Sequence, residues 1–171
     1  MALKPDRNEL NVDISFFHAT GIAYGGERGG WVTATGNSAT GPSGAAMDQS
    51  VNQVWYGLSA TGLRPLGVLL NDVVNIDLTR QSINPYKSEV QVGDKVALLT
   101  KGFIVTNRVV TAMGGATAVA VTVGATAYTG PSGYITSIAT GALATATGSH
   151  VIGKFLSLAD EDGYYKVQID L

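Results

Sequence analysis

The chain has 171 residues, of which 22 are glycine and none is cysteine; 14% are charged, for a formal net charge of −2. That length suits one domain with a real core, and the missing cysteine excludes disulfides, thiolate metal sites and cysteine nucleophiles. A charge share well below the usual ~25%, with a mean hydropathy of +0.18, points to a surface that meets other protein, while 45% hydrophobic residues argue against wholesale disorder.

In chain order, the opening residues Met1 to Glu9 hold no apolar run, so no leader segment is expected. Residues 1–57 carry seven charged residues before Gly30 and almost none from there to Gly57. They are dense in glycine (Gly25-Gly26, Gly29-Gly30, Gly41, Gly44) and hold no sustained period of 2 or 3.6. This region is expected to be an extended, Gly-rich N-terminal arm with short strands, draped over something rather than folded on itself. The alternative is a long ordered loop packed on its own domain, and loops that long are uncommon without a function. A chain beginning near Trp55 is then expected still to fold. Only 46–57 shows helical spacing, through Met47, Val51, Val54 and Trp55, and no helix is predicted from it.

Residues 58–110 read as strands. Leu66, Val68 and Leu70 share one face, and Val74, Ile76 and Leu78 alternate with Asn75 and Asp77. A tight turn is expected at Val92 to Lys95, a strand over Val96 to Leu99, a break at Lys101-Gly102, and a further strand at Phe103 to Val105. In 111–171, Val119, Val121 and Val123 alternate with small side chains and predict another strand. The turn Thr129-Gly130-Pro131-Ser132-Gly133 joins Ala125–Tyr128 to Tyr134–Thr136 as a hairpin. A second hairpin runs from Val151 to Leu158, turns at Ala159 to Gly163, and returns from Tyr164 to Leu171. Tyr165, Val167, Ile169 and Leu171 lie on one face, so a slip of one residue would expose the whole row. The expected fold is mainly β: a single antiparallel β-barrel or sandwich domain over 58–171, with the arm over 1–57.

Chemistry is sparse. His18 and His150 are far apart, with no ligand-spaced neighbour, and read as structural. Asp160-Glu161-Asp162-Gly163 lacks the spacing of a calcium loop and has that of a hairpin turn. The Gly25–Gly30 run lacks the spacing of a phosphate loop, and Asp72, Asp77 and Glu89 read as solvated carboxylates. The expectation is no enzyme, no cofactor and no metal. Val109 to Ser149 contains no Asp, Glu, Lys or Arg but is broken by Gly, Thr, Ser and Pro131, so no membrane helix is expected. A pI of 5.6 without a basic cluster speaks against nucleic acid. The aromatics Phe16, Phe17, Tyr24, Trp31, Trp55 and Tyr56 could anchor in a partner's pockets or cap the chain's own barrel, and both readings stay open.

Lys4-Pro5-Asp6-Arg7, with Asp13-Ile14-Ser15-Phe16-Phe17 and Glu27-Arg28-Gly29-Gly30, resembles the start of small structural proteins of tailed-bacteriophage heads. Pro65 to Val73 and Gly93 to Gly102 look like the same group. Ile152 to Ser157 with Asp160 to Gly163 is similar to the closing hairpin of β-rich capsid decoration (cement) proteins. The resemblance implies a non-catalytic protein on the outer surface of the capsid, part of the virion and made in the host cytoplasm. Its partner would be the major capsid protein, whose neighbouring subunits it would bridge. The expected capsid contacts are Lys4, Arg7 and Arg28 through carboxylates, and Phe16, Phe17 and Trp31 as apolar anchors. A homo-oligomer is expected, a trimer slightly before a dimer. The alternative is a carbohydrate-binding or head-fibre-like surface module of the virion.

Overall fold

The computed structural model describes residues 3–18, 26–33, 53–57, 63–74, 89–91, 95–112, 119–139 and 149–171. In its first half lie β1 (Asn8–Asp13), β2 (Phe17–His18), β3 (Trp31–Thr33), β4 (Gln53–Tyr56), β5 (Pro65–Leu69), β6 (Asp72–Val74) and β7 (Glu89–Gln91). The second half adds β8 (Leu98–Thr106), β9 (Val109–Val110), β10 (Thr126–Thr129), β11 (Ile135–Thr136), β12 (Val151–Phe155) and β13 (Tyr165–Asp170). Among the described residues there is no α-helix, only a 3₁₀ turn at Pro131–Gly133. Eleven strands form one curled, mostly antiparallel sheet, a half-barrel, and β6 and β7 pair apart from it.

The sheet is organised on β8. Leu98 and Leu99 are paired to both β1 and β5, while Lys101, Gly102 and Phe103 are paired to both β1 and β13. A strand residue has two sides, so β1 runs along one edge of β8 while β5 and β13 divide the other. The sheet therefore forks. One branch continues from β5 to β3, β4 and β2, the other from β13 to β12, β10, β11 and β9. Leu98 packs in a core with Val32, Val54, Tyr56, Leu69 and Val96. Leu99 packs in the larger core with Leu3, Val68, Ile104, Ile152, Phe155, Val167 and Ile169. Adjacent residues of a strand face opposite ways, so both faces of β8 are covered at this point.

β8 does not break at Lys101-Gly102 as expected. Gly102 takes φ 145°, and a Cβ there would overlap the Asn8 carbonyl oxygen, so the glycine lets β1 lie close rather than ending the strand. The strand expected around Val119–Val123 is also absent: the segment pairs with no strand, Val121 is buried, and Val119 and Val123 are exposed. Both hairpins are as read. β10 pairs with β11 across the Pro131 turn, and Gly153, Lys154 and Phe155 oppose Ile169, Gln168 and Val167. Asp160 closes the second turn, its Oδ1 accepting from the N–H of Asp162 at 3.0 Å and of Tyr164 at 2.7 Å, with Gly163 at φ 79°.

The described parts of 1–57 belong to the same sheet. β3 pairs with both β4 and β5, all three of its side chains are buried, and Leu3 lies in the main core. A chain beginning near Trp55 would lose these core residues, so its independent folding is no longer expected. Gln53–Tyr56, within the stretch of helical spacing, is strand; its earlier residues, like Tyr24, Gly41, Gly44, Ile76, Leu78 and Val92–Asp94, lie outside the described residues.

Candidate interaction surface

The N-terminal segment is fastened at both ends and paired along β8 between them, where it exposes apolar side chains. At its start Leu3 is buried, the Lys4 N–H donates to the Val105 carbonyl at 2.8 Å, and Lys4 Nζ reaches Asp160 at 2.5 Å and Asp162 at 3.6 Å. The same ammonium stands 4.4 Å from the centre of the Tyr164 ring. The hydrogen bond to Asp160 lifts the Lys4 pKa above its ordinary value, and it holds the Asp160 carboxyl below its own. At the far end the Phe16 carbonyl accepts from the Val96 N–H at 3.0 Å, and the Phe16 side chain packs against the smaller core. Asp13 accepts from the Ser15 hydroxyl at 2.6 Å and from its N–H at 2.7 Å, and these bonds lower its pKa. Between the ends, Leu10 is 68% and Ile14 60% exposed.

A second polar cluster sits where the two branches of the sheet meet. Arg108 pairs with Glu27 and lies 4.9 Å from the centre of the Tyr134 ring. Arg28 Nε stands 3.4 Å from Asp72 Oδ2, too poorly aimed for a hydrogen bond, while the Arg28 N–H donates to Asp72 Oδ1 at 2.8 Å. The Tyr56 ring lies against Gly30 and Gly133, its hydroxyl buried with no hydrogen-bond partner among the described residues, and burial pushes its pKa up to about 12. Trp31 Nε1 donates to the Gly130 carbonyl at 2.8 Å, and the Gly133 N–H donates to the Gly57 carbonyl. These contacts tie β3 and β4 to the turn after β10. The cluster therefore works as a clasp, with each arginine beside its own carboxylate.

The structure scatters the expected contact residues rather than gathering them. Lys4 and Arg28 are held in intramolecular ion pairs, and Arg7 pairs with Glu9 two residues on. Phe16 is half-buried, and Phe17 pairs by its backbone with Gln53. Trp31 departs from its expected place as an anchor: its ring is wholly buried inside its own chain and offers a partner no surface. Leu10 and Ile14 are not among the expected contacts; their only signal is the short period-2 alternation of Leu10, Val12 and Ile14 against Asn11 and Asp13. The Glu27–Arg108 pair had no such signal, because its partners are joined only by the fold.

Among the described residues, no group of three or more His, Asp or Glu could hold a metal ion. The His150 backbone is bonded to Thr129 in both directions at 2.9 Å. No described helix is long and apolar enough to cross a membrane. The chain matches no protein-family model and no curated protein.

Proposed function

We propose that this chain is a non-catalytic capsid decoration protein, binding the outside of a tailed-phage head and bridging neighbouring major capsid subunits. The observation that carries a binding role is that large apolar side chains stand exposed beside the hairpin loops. Val123 lies in the turn before β10 and Leu158 just beyond β12. Exposed apolar residues of this kind supply contact area to a partner. The capsid as partner rests on the sequence resemblance of the Lys4–Arg7, Pro65–Val73 and closing-hairpin segments. Since Lys4 and Arg28 are engaged within the chain and Trp31 is interior, the contact is assigned to the hairpin end of the molecule.

The test is stoichiometry and particle stability. Heads of the phage encoding the chain should carry the 17.7 kDa protein at about one copy per major capsid subunit. Heads stripped of it should lose resistance to heat and regain it when the purified chain is added back. Sparse copies without effect on stability would overturn this reading in favour of a fibre-like or carbohydrate-binding module. Absence of the protein from heads would overturn both.

A further inference from the structure

Among the described residues β1 pairs only with β8, so its other edge has no strand partner among them, and the Asn11 carbonyl accepts from the Thr100 hydroxyl at 3.2 Å. Edges of this kind are commonly blunted by proline, lysine or a bulge, and Asn8–Asp13 contains no proline and no lysine. The strand does have a local irregularity at Leu10-Asn11. A second one compensates it, so Asn8-Glu9 and Val12-Asp13 meet β8 in the same frame. The distortion leaves Leu10 without an opposing β8 residue and 68% exposed. The edge is thus six residues long, displaced from β8 at its centre and back in frame at both ends, with Leu10 exposed at the displaced point.

We propose that this edge is the self-association surface of the protein: β1 of one copy pairs antiparallel with β1 of a second about a two-fold axis at Leu10. Charge selects both the partner and the register. With Leu10 on the axis, Leu10 meets Leu10, Asn8 meets Val12, Glu9 meets Asn11, and Arg7, on leaving its exposed intramolecular pair with Glu9, meets Asp13 twice. Shifting the axis to Asn11 sets Glu9 against Asp13 twice, a like-charge arrangement. The register between these sets Leu10 against Asn11 and forms no opposite-charge pair. A shift the other way by half a step brings Asp6 against Asp13. The Leu10 register alone satisfies both the apolar and the charged positions. An interface of this kind is isologous, so the same strand serves both copies and the assembly closes at two. Asp13 is already oriented by its two bonds from Ser15. Exposed charge pairs set register and partner choice more than affinity, so the strand pairing and the Leu10 contact carry the binding.

The experiment uses the free full-length chain and does not depend on the capsid reading. Sedimentation velocity over a concentration series should show a monomer–dimer equilibrium. Arg7→Asp and Asp13→Arg should each weaken dimerisation about tenfold or more, and the charge-swapped double variant should restore it to within about threefold. A merely structural effect of either substitution would persist in the double variant. Because the chain has no cysteine, Leu10→Cys should form a disulfide-linked dimer on mild oxidation, whereas Val123→Cys, also exposed, should not. Far-ultraviolet circular dichroism of each variant checks folding. A monomer at every concentration overturns the proposal. So does a dimer or trimer insensitive to the charge swap, or a Leu10→Cys chain that cross-links no faster than Val123→Cys.

Discussion

Replacing Trp31 by alanine separates an internal role from a partner-facing one. The indole is fully buried, lies against Gly57, and gives its N–H to the Gly130 carbonyl at 2.8 Å. Truncating a buried aromatic of this size costs about 3–5 kcal/mol, and leaving a buried carbonyl without its donor costs ~1–3 kcal/mol. The two losses share one site and do not add fully, so a total of about 4–6 kcal/mol is expected. A domain of this length has only ~5–15 kcal/mol of stability, so the variant should be marginal or unfolded at room temperature. In a urea titration with a slope of ~2–3 kcal/mol/M, the midpoint should fall by ~2 M. Trp31→Phe keeps most of the apolar volume and loses only the hydrogen bond, so it should cost ~1–3 kcal/mol. The transition should be followed by far-ultraviolet circular dichroism, since the substitution removes one of only two tryptophans. An alanine variant that unfolds within ~0.3 M of the parent would refute the reasoning. It would return Trp31 to the surface as a partner anchor.

Gly102→Ala should drive β1 off β8, because the new Cβ would overlap the Asn8 carbonyl at a backbone φ of 145°. Hydrogen-exchange protection should be lost over residues 8–13 and kept in β12 and β13, with a cost of ~1–3 kcal/mol; unchanged protection of β1 would count against the register. Tyr56 should remain protonated until about pH 12, while exposed tyrosines ionise near ~10. Burial raises the folded-state pKa above the unfolded one, so the contribution of Tyr56 to stability is intact below pH ~10 and is lost as pH climbs towards the folded value. Tyr56→Phe should flatten this alkaline loss. At neutral pH it should leave stability equal or higher, since the buried hydroxyl has no hydrogen-bond partner among the described residues. A clear neutral-pH loss in thermal melts would show that the hydroxyl is in fact bonded.

The elements legible in the sequence are those whose partners are close along the chain. The closing hairpin carries its own instructions: alternation in Tyr165 to Leu171, a turn at Asp160 to Gly163, and an apolar row that only one register buries. The Pro131 turn is equally local, with Ser132 and Gly133 both at positive φ between strands that pair directly. Period-2 alternation fails as a guide where burial on both faces or on neither replaces it. β8 buries Leu98 and Leu99 in succession, so its nine residues do not alternate cleanly and Gly102 reads as a break. Val119 to Val123 alternates well but joins no strand among the described residues, the Val119 N–H donating to the Thr111 carbonyl at 2.9 Å.

What composition and pattern determined is therefore the class: a β-rich single chain with two hairpins in its last third. The tertiary structure decided which surfaces are interior and which remain outside. Trp31 and Gly130 are 99 residues apart, and Lys4 and Asp160 are 156 apart. Nothing local distinguishes a tryptophan that will fill its own core from one that will fill another's, because the same apolar area drives both. Leu10 shows the reverse. Its alternation with Val12 and Ile14 is too short to be read as a strand by itself, and it ends at the edge of the sheet because β8 has only two sides and β5 and β13 occupy the other.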